Sequence, residues 1–220
     1  MCKLNWDRNQ LWEGCILASI AHAIMVAHYP DISHEQSWDG FNYSVQDSSG
    51  TRGTITFHPN FLVGAFRNEN SERALEYINA IEYIKDAPEK AKEVASEEAL
   101  LYLLDEIDGK TVPVITTAFW GNLDEIYSHD TYEDFIKNGG FLIERQIDNM
   151  ENAINEWEEE YEMSETQIVL LKSIFKRKIE NPTKEIVLSE KEIQMIGSED
   201  EEGLSESRIS FEELGITWKL

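Results

Sequence analysis

The residues of this chain that can support catalysis are few, and their spacing forms no known catalytic motif. Cys15 and His22 lie seven residues apart, so a helix would place a thiol and a base on one face. Their neighbours, including Ile16 and Ile20, are apolar, which indicates a buried helix. A reactive cysteine needs exposure and a third, orienting group. We therefore interpret both residues as core residues and assign no catalytic residue.

Metal and cofactor sites are not indicated either. The histidines show neither the H-x-x-x-H spacing of a zinc helix nor pairing with cysteines; they are His22, His28, His34, His58 and His129. Residues 50–53 lack the lysine of a phosphate-binding loop and fit a hairpin turn better. Residues 105–109 carry close carboxylates without the ligand order of a calcium loop, so they are interpreted as a polar helix end. We predict no cofactor and no metal.

An enzyme remains the less favoured alternative. It would be a small cytosolic enzyme whose pocket combines aromatic and ionisable side chains. The candidates for this pocket are Trp38, Asp39, Tyr43, Arg52 and Trp120.

The strongest chemical signal is the charge. The chain has 220 residues, of which 43 are acidic and 19 basic, giving a net charge of -24. A surface of this sign repels phosphate backbones and anionic lipids, so we expect neither direct nucleic-acid binding nor membrane attachment. Because 41% of the residues are hydrophobic, the chain can fill a core and is not an acidic disordered tail. The natural partner is a basic protein.

The N-terminus and the cysteines bear on the cellular compartment. The first residues lack the basic start and apolar core of a signal peptide. The longest apolar stretch, residues 15–26, is shorter than the roughly 20 residues needed to span a bilayer. Cys2 and Cys15 show no disulfide framework and are expected to be thiols. These features predict a cytoplasmic protein.

The elements that must position any site follow from periodicity and turn residues. In the first two thirds of the chain we predict a helix at 11–27, a three-stranded β-meander at 41–67, a helical hairpin at 71–86 and 88–109, a central strand at 111–120, a helix at 131–137 and a strand at 141–143.

The last third differs in character. There we predict an amphipathic helix at 147–161 and a second helix at 164–181 that opens with a capping box of Ser164 and Gln167. A strand at 186–188, a short capped helix from Ser189 to Ile196 and an acidic loop at 198–203 are predicted to follow. Residues 151–220 contain 18 acidic and 8 basic residues, whereas residues 1–70 contain 7 and 4. The fold class is therefore predicted as α+β, an antiparallel sheet covered by helices with an acidic helical C-terminal region. Its division is an α+β domain at 1–146 and the helical region at 147–220.

The predicted helix at 147–161 supplies the candidate partner-binding residues. Its glutamates outside the apolar stripe are expected on the exposed face, and those assigned are Glu151, Glu158, Glu159, Glu160 and Glu162. Such a face can dock on a basic protein and speed the encounter by electrostatic steering.

In its acidity, its six tryptophans and its lack of an active-site signature, the chain resembles immunity proteins of bacterial polymorphic toxin systems. The resemblance is one of type and assigns no residue roles. It implies a non-enzymatic inhibitor that neutralises a toxin by binding it. The alternative is a phage-type anti-defence inhibitor that mimics DNA and binds a defence enzyme.

Overall fold

The computed structural model describes residues 1–219 and forms two units by its internal contacts. Unit 1 comprises Met1–Trp12 and Trp38–Glu144, and unit 2 comprises Glu13–Ser37 and Arg145–Leu220. The strands are β1 (Cys2–Lys3), β2 (Gln36–Asp39), β3 (Asn42–Gln46), β4 (Arg52–Phe57), β5 (Leu62–Arg67), β6 (Leu104–Ile107), β7 (Lys110–Pro113), β8 (Thr117–Gly121), β9 (Ile126–Ser128), β10 (Ile186–Leu188) and β11 (Ile216–Trp218). The helices are α1 (Arg8–Val26), α2 (Glu89–Glu97), α3 (Tyr132–Lys137), α4 (Glu144–Ile147), α5 (Met150–Glu160), α6 (Glu165–Glu180), α7 (Glu190–Ile196) and α8 (Glu201–Glu213).

The predicted α+β class is confirmed. Seven strands form one sheet in the order β1-β9-β8-β5-β4-β3-β2, and the neighbouring strands from β1 to β3 in this order pair antiparallel. The predicted meander is confirmed as β3, β4 and β5. Helices dominate the C-terminal region, as expected. None of the helices within residues 1–219 combines the length and the apolar character needed to cross a membrane.

One face of the unit 1 sheet carries an aromatic core. Phe119 lies opposite Gly64 on the neighbouring strand, and a Cβ on Gly64 would lie 2.3 Å from the Phe119 ring. The glycine therefore leaves space for the ring. Phe66 and Phe135 pack against Phe119, with ring centroids 6.1 and 5.8 Å away. Trp6 completes this cluster at 6.3 Å from Phe119.

The other face of the sheet packs against α2 and the 3-10 turns beside it. Its buried side chains are mostly small or branched, among them Ala91 and Ala95 of α2 and Val63 and Ala118 of the sheet. The alanines allow α2 to lie close to the strands, and Trp120 fills the remaining space in this layer.

The predicted helical hairpin at 71–109 is wrong in two places. Residues 71–86 form two 3-10 turns, Glu72–Leu75 and Ala80–Ile84, because Ser71 and Asn79 each cap a separate short turn. The following helix ends at Glu97, and a β-hairpin of β6 and β7 replaces its predicted end at 104–109. Asp108 and Gly109 both have positive φ, which is the geometry of a tight hairpin turn.

Two further predictions in unit 1 need correction. The strand expected at 111–120 is two strands, because β7 ends at Pro113 and β8 begins at Thr117 in another sheet. Residues 141–143 lie in a 3-10 turn, Gly140–Ile143, and so do not extend the sheet.

In unit 2 two helices begin at the capping residues that the sequence predicts. Ser164 with Gln167 and Ser189 with Glu192 form the capping boxes that open α6 and α7. The predicted acidic loop at 198–203 is wrong, because Asp200 caps α8 and the following glutamates form its first turn. Negative side chains are favourable there, since they face the positive end of the helix dipole.

Helix α8 packs very closely on the C-terminal half of α1 within unit 2. A Cβ on Gly203 would lie 2.4 Å from the carbonyl oxygen of Ala27. The hydroxyl of Ser207 donates to the carbonyl of Ala23, and that of Ser198 donates to the carbonyl of Ala27. Small side chains on both helices therefore allow backbone contact.

A buried lysine joins the ends of two helices in the same unit. The Lys178 ammonium donates to the carbonyls of Pro182 and Leu214, at 2.9 and 2.7 Å. Leu214 is the C-cap of α8 and precedes β11, which pairs in parallel with β10. Burial lowers the pKa of Lys178 below its ordinary value. Lys178 thus satisfies helix-end carbonyls that would otherwise be unpaired.

Candidate functional site

Helix α5 presents most of the predicted partner-binding residues on one exposed face. The side chain of Asn149 caps the helix by accepting from the Asn152 amide, and Ala153 and Trp157 bury its opposite face. With about 100° between successive residues, this packing directs Glu151 and Glu158 to solvent.

The end of α5 adds a hollow to this exposed face. Glu162 follows the helix with φ 49°, and the Met163 amide donates back to the carbonyl of Glu158. The side chains of Glu158, Glu159 and Glu162, together with Asn155 and Met163, line a surface hollow of about 570 Å³. We call Glu151, Glu158, Glu159 and Glu162 the α5 face.

The carboxylates of the α5 face are not neutralised within the protein. No basic side chain in the part of the chain that the structure describes forms an ion pair with any of the four. Three of them surround the same hollow, so their mutual repulsion is relieved by any bound cation. This arrangement favours a positively charged occupant.

Glu160, the fifth predicted residue, is engaged elsewhere. Its carboxylate accepts from Arg145 at 2.7 Å, and Arg145 also lies 3.4 Å from Glu156. The guanidinium is 4.8 Å from the Trp157 ring centroid, and that ring stacks on Tyr161. Glu160 therefore belongs to a cation–aromatic cluster on the flank of α5.

Tyr161 shows how that flank is built. Burial raises the pKa of its phenol well above the ordinary value, and the charges of Glu35 and Glu160 raise it further. The phenol is therefore neutral at physiological pH. Its stack on Trp157 has an interplanar angle of 16°, which fixes the end of α5 in unit 2.

The overall charge does not itself locate the site. Acidic residues outnumber basic ones by about two to one in both units. Residues 71–150 alone contain 18 acidic and 7 basic residues, as many acids as residues 151–220. What distinguishes the α5 face is that three of its four carboxylates surround one hollow and that none of the four has an ion pair with a basic side chain within residues 1–219.

Cys15 and His22 are core residues of unit 2. Cys15 is fully buried, and burial raises the pKa of its thiol well above the ordinary value. His22 bonds the carbonyl of Ile32 through Nε2 at 2.9 Å, and burial lowers its pKa to about 4. A buried neutral thiol and a buried neutral imidazole are not a nucleophile and base pair.

The residues considered for an enzyme pocket are divided between the two faces of the unit 1 sheet. Tyr43 is in register with Ile55, Gly64 and Phe119 across four strands. Trp120 follows Phe119 on β8, so its side chain points to the other face, as does that of Arg52. The Trp38 ring lies beside the Tyr43 ring, with centroids 5.2 Å apart and an interplanar angle of 45°. These side chains cannot line one pocket.

The histidines form local contacts instead of a metal centre. No group of three or more His, Cys, Asp or Glu residues within 1–219 is arranged to hold a metal ion. His28 bonds the Ile196 carbonyl in unit 2, and His129 lies 3.3 Å from Asp86 in unit 1.

A second surface feature in unit 1 was missed by the sequence prediction. The hydroxyl of Tyr102 donates to Asp39 at 2.7 Å, and the side-chain amide of Asn42 donates to Glu98 at 2.8 Å. The available signal was Phe41, an aromatic residue in a Gly-containing turn. Its neighbours are about 60 positions away in the sequence, so periodicity did not reveal them.

Comparisons with known proteins add no homologous site to this geometry. No protein-family model, curated protein or solved structure matches the chain.

Proposed function

We propose that this protein is a non-enzymatic inhibitor that binds and neutralises a basic protein through the α5 face. The observation that supports this proposal is the group of exposed carboxylates around the hollow at the end of α5, which have no counter-ion in the described part of the chain. The buried residues Ala153 and Trp157 hold the helix in place, so the face is formed before any partner arrives.

The physical logic of the proposal is electrostatic. A net charge of -24 attracts a basic protein over a distance of about one Debye length and raises the rate of encounter. At contact, lysine or arginine side chains of the partner pair with Glu158, Glu159 and Glu162. The exposed Asn155 supplies hydrogen-bonding groups to the rim of the same surface.

The setting that fits best is an immunity-type protein acting in the cytoplasm on a basic bacterial toxin. DNA mimicry toward a defence enzyme uses the same carboxylates and differs in one respect: DNA must compete for the partner's site. A competition experiment with duplex DNA therefore separates the two settings once a partner is in hand.

The test compares two charge-reversal triples in the full-length protein. The first carries Glu151→Lys, Glu158→Lys and Glu159→Lys on the α5 face. The control carries Glu76→Lys, Glu82→Lys and Glu133→Lys, which are exposed positions of unit 1. Both triples change the net charge equally, so they differ only in location.

A binding partner is first recovered with the wild-type protein, identified by mass spectrometry and purified. Its dissociation constant is then measured for the wild type, the α5 triple and the control triple. We expect the α5 triple to bind at least about tenfold more weakly than the control triple, since charge pairs at a contact are lost. Equal weakening by both triples would show that only the overall charge matters, and it would refute the α5 face as the site.

A further inference from the structure

Unit 1 exposes four large apolar side chains on two segments that are joined through Tyr102. They are Phe41, Leu101, Tyr102 and Leu104, which are 59%, 53%, 38% and 39% exposed, and we call them the Tyr102 patch. Phe41 lies in the turn between β2 and β3, and the other three lie in or next to the 3-10 turn Ala99–Leu103. The Tyr102 hydroxyl contacts both Asp39 and Asn42, the residues on either side of that turn, so the two segments form one surface.

The patch is held rigidly from below by a buried amide. Asn42 is only 4% exposed, and its Nδ2 donates to Glu98 at 2.8 Å and to the Tyr102 hydroxyl at 3.3 Å. Its Oδ1 accepts from the hydroxyl of Thr56 at 2.6 Å. The Tyr102 ring and the Glu98 carboxylate are therefore positioned before binding, which lowers the entropic cost of association.

The charges around the patch indicate what it binds. Asp39 and Glu98 border the apolar side chains, and within residues 1–219 neither has an ion pair with a basic side chain. A second copy of this chain is a poor occupant, because each copy carries a charge of -24 and a symmetric contact would oppose these carboxylates. A planar cation with apolar surface satisfies both the rings and the carboxylates, and arginine has these properties.

We propose that the Tyr102 patch is a second docking surface and that it receives an arginine side chain of the basic partner. The guanidinium would stack on the Tyr102 or Phe41 ring while Asp39 and Glu98 accept its hydrogen bonds. The inference deepens the proposed function and rests on it for the basic character of the partner. It adds a contact on an aromatic surface of unit 1. Aromatic residues are common among the residues that contribute most to binding in protein interfaces.

The test uses two blocked hexapeptides that alternate leucine with either arginine or lysine. Each is titrated into the full-length, ¹⁵N-labelled protein at about 0.15 M salt, where long-range attraction is screened. We expect chemical-shift changes centred on Phe41, Leu101 and Tyr102, and an affinity for the arginine peptide about fivefold or more above that for the lysine peptide.

Substitutions then assign the binding to the patch. Phe41→Ser and Tyr102→Ser are each expected to weaken the arginine peptide about fivefold or more. Leu123→Ser, at a position of unit 1 that is 51% exposed, is the matched control and should leave binding unchanged. Phe41 is 59% exposed, so the urea midpoint of Phe41→Ser should match that of the control. Tyr102→Ser also removes the hydrogen bonds to Asp39 and Asn42, so its midpoint is measured and its peptide binding is compared under conditions where it is folded. Equal affinity of both patch variants and wild type would overturn the inference.

The α5 triple distinguishes failure of this inference from failure of the proposed function. Loss of arginine-peptide binding in the patch variants supports the inference, whether or not the α5 triple also weakens binding. Loss in the α5 triple alone overturns the inference and leaves the proposed function in place. Unchanged binding in all these variants overturns the inference, whereas the proposed function is decided separately by the partner's dissociation constant.

Discussion

The close packing of α8 on α1 makes Gly203 the most sensitive position of unit 2. Replacing Gly203 with alanine would place a Cβ 2.4 Å from the carbonyl oxygen and 2.8 Å from the carbonyl carbon of Ala27. Both atoms belong to the backbone of Ala27, which directly follows α1, so relief requires α8 to move away from that end of α1 by about 1 Å. That shift would weaken the hydrogen bonds that Ser198 and Ser207 donate to the carbonyls of Ala27 and Ala23.

Three contributions to the free energy of unfolding set the size of the effect, one stabilising and two destabilising. Alanine is a better helix former than glycine by about 1 kcal/mol, which favours the variant. Overpacking costs about 1 to 3 kcal/mol, and weakening two hydrogen bonds costs up to about 1 kcal/mol each. We expect Gly203→Ala to lower the free energy of unfolding by about 2 kcal/mol.

The assay is urea unfolding followed by circular dichroism, with Ser205→Ala as the control in the same helix. Ser205 is exposed, so its replacement should stay within about 0.5 kcal/mol of the wild type. With a typical slope of about 2 kcal/mol per molar urea, the Gly203→Ala midpoint should fall by about 1 M. A midpoint equal to or above that of the wild type would refute the claim of backbone contact between α1 and α8.

Three further predictions concern buried polar groups. Because burial lowers the pKa of His22 to about 4, the unfolded chain binds a proton below pH 6.5 that the folded chain does not. The free energy of unfolding should therefore fall by up to about 3 kcal/mol between pH 6.5 and 4. In a plot of urea midpoint against pH, His22→Gln should reduce the slope over this range, and an unchanged slope would contradict the assignment. Lys178→Met should destabilise by about 2 kcal/mol in urea unfolding, since it leaves two helix-end carbonyls unpaired, and a neutral effect would show that water replaces the ammonium. Thr116→Val should cost about 2 kcal/mol in the same assay, because the Thr116 hydroxyl donates to the carbonyl of Asn138 and accepts from the amide of Asn68. A loss of less than about 0.5 kcal/mol would contradict this assignment.

The sequence predicts the helices whose first residue is set by capping residues within the next few positions. The capping boxes at Ser164 and Ser189 were recognisable because donor and acceptor lie three residues apart. The Asp108–Gly109 turn also depends on adjacent residues only. The apolar periodicity before it nevertheless predicts a helix to residue 109, where the structure has the hairpin of β6 and β7. The start of α8 was missed because the acidic run after Asp200 was interpreted as a solvated loop, although acidic residues are favoured in a first helical turn.

Only the part of the candidate site that lies on a single helix can be predicted from the sequence. The alternation of apolar and acidic residues placed Glu151 and Glu158 on an exposed face. The pairing of Glu160 with Arg145 depends on how α5 packs beside the preceding segment, and sequence periodicity carries no such information. The Tyr102 patch requires contact between Asp39 and Tyr102, which lie far apart in the chain and are joined only by tertiary structure.

The central claim is that the α5 face binds a basic protein, and the most direct test is the partner's dissociation constant for the Glu151, Glu158 and Glu159 reversal triple at several salt concentrations. We predict binding at least about tenfold weaker than for the Glu76, Glu82 and Glu133 control, together with a smaller dependence on salt. An unchanged dissociation constant with an unchanged salt dependence would contradict the account.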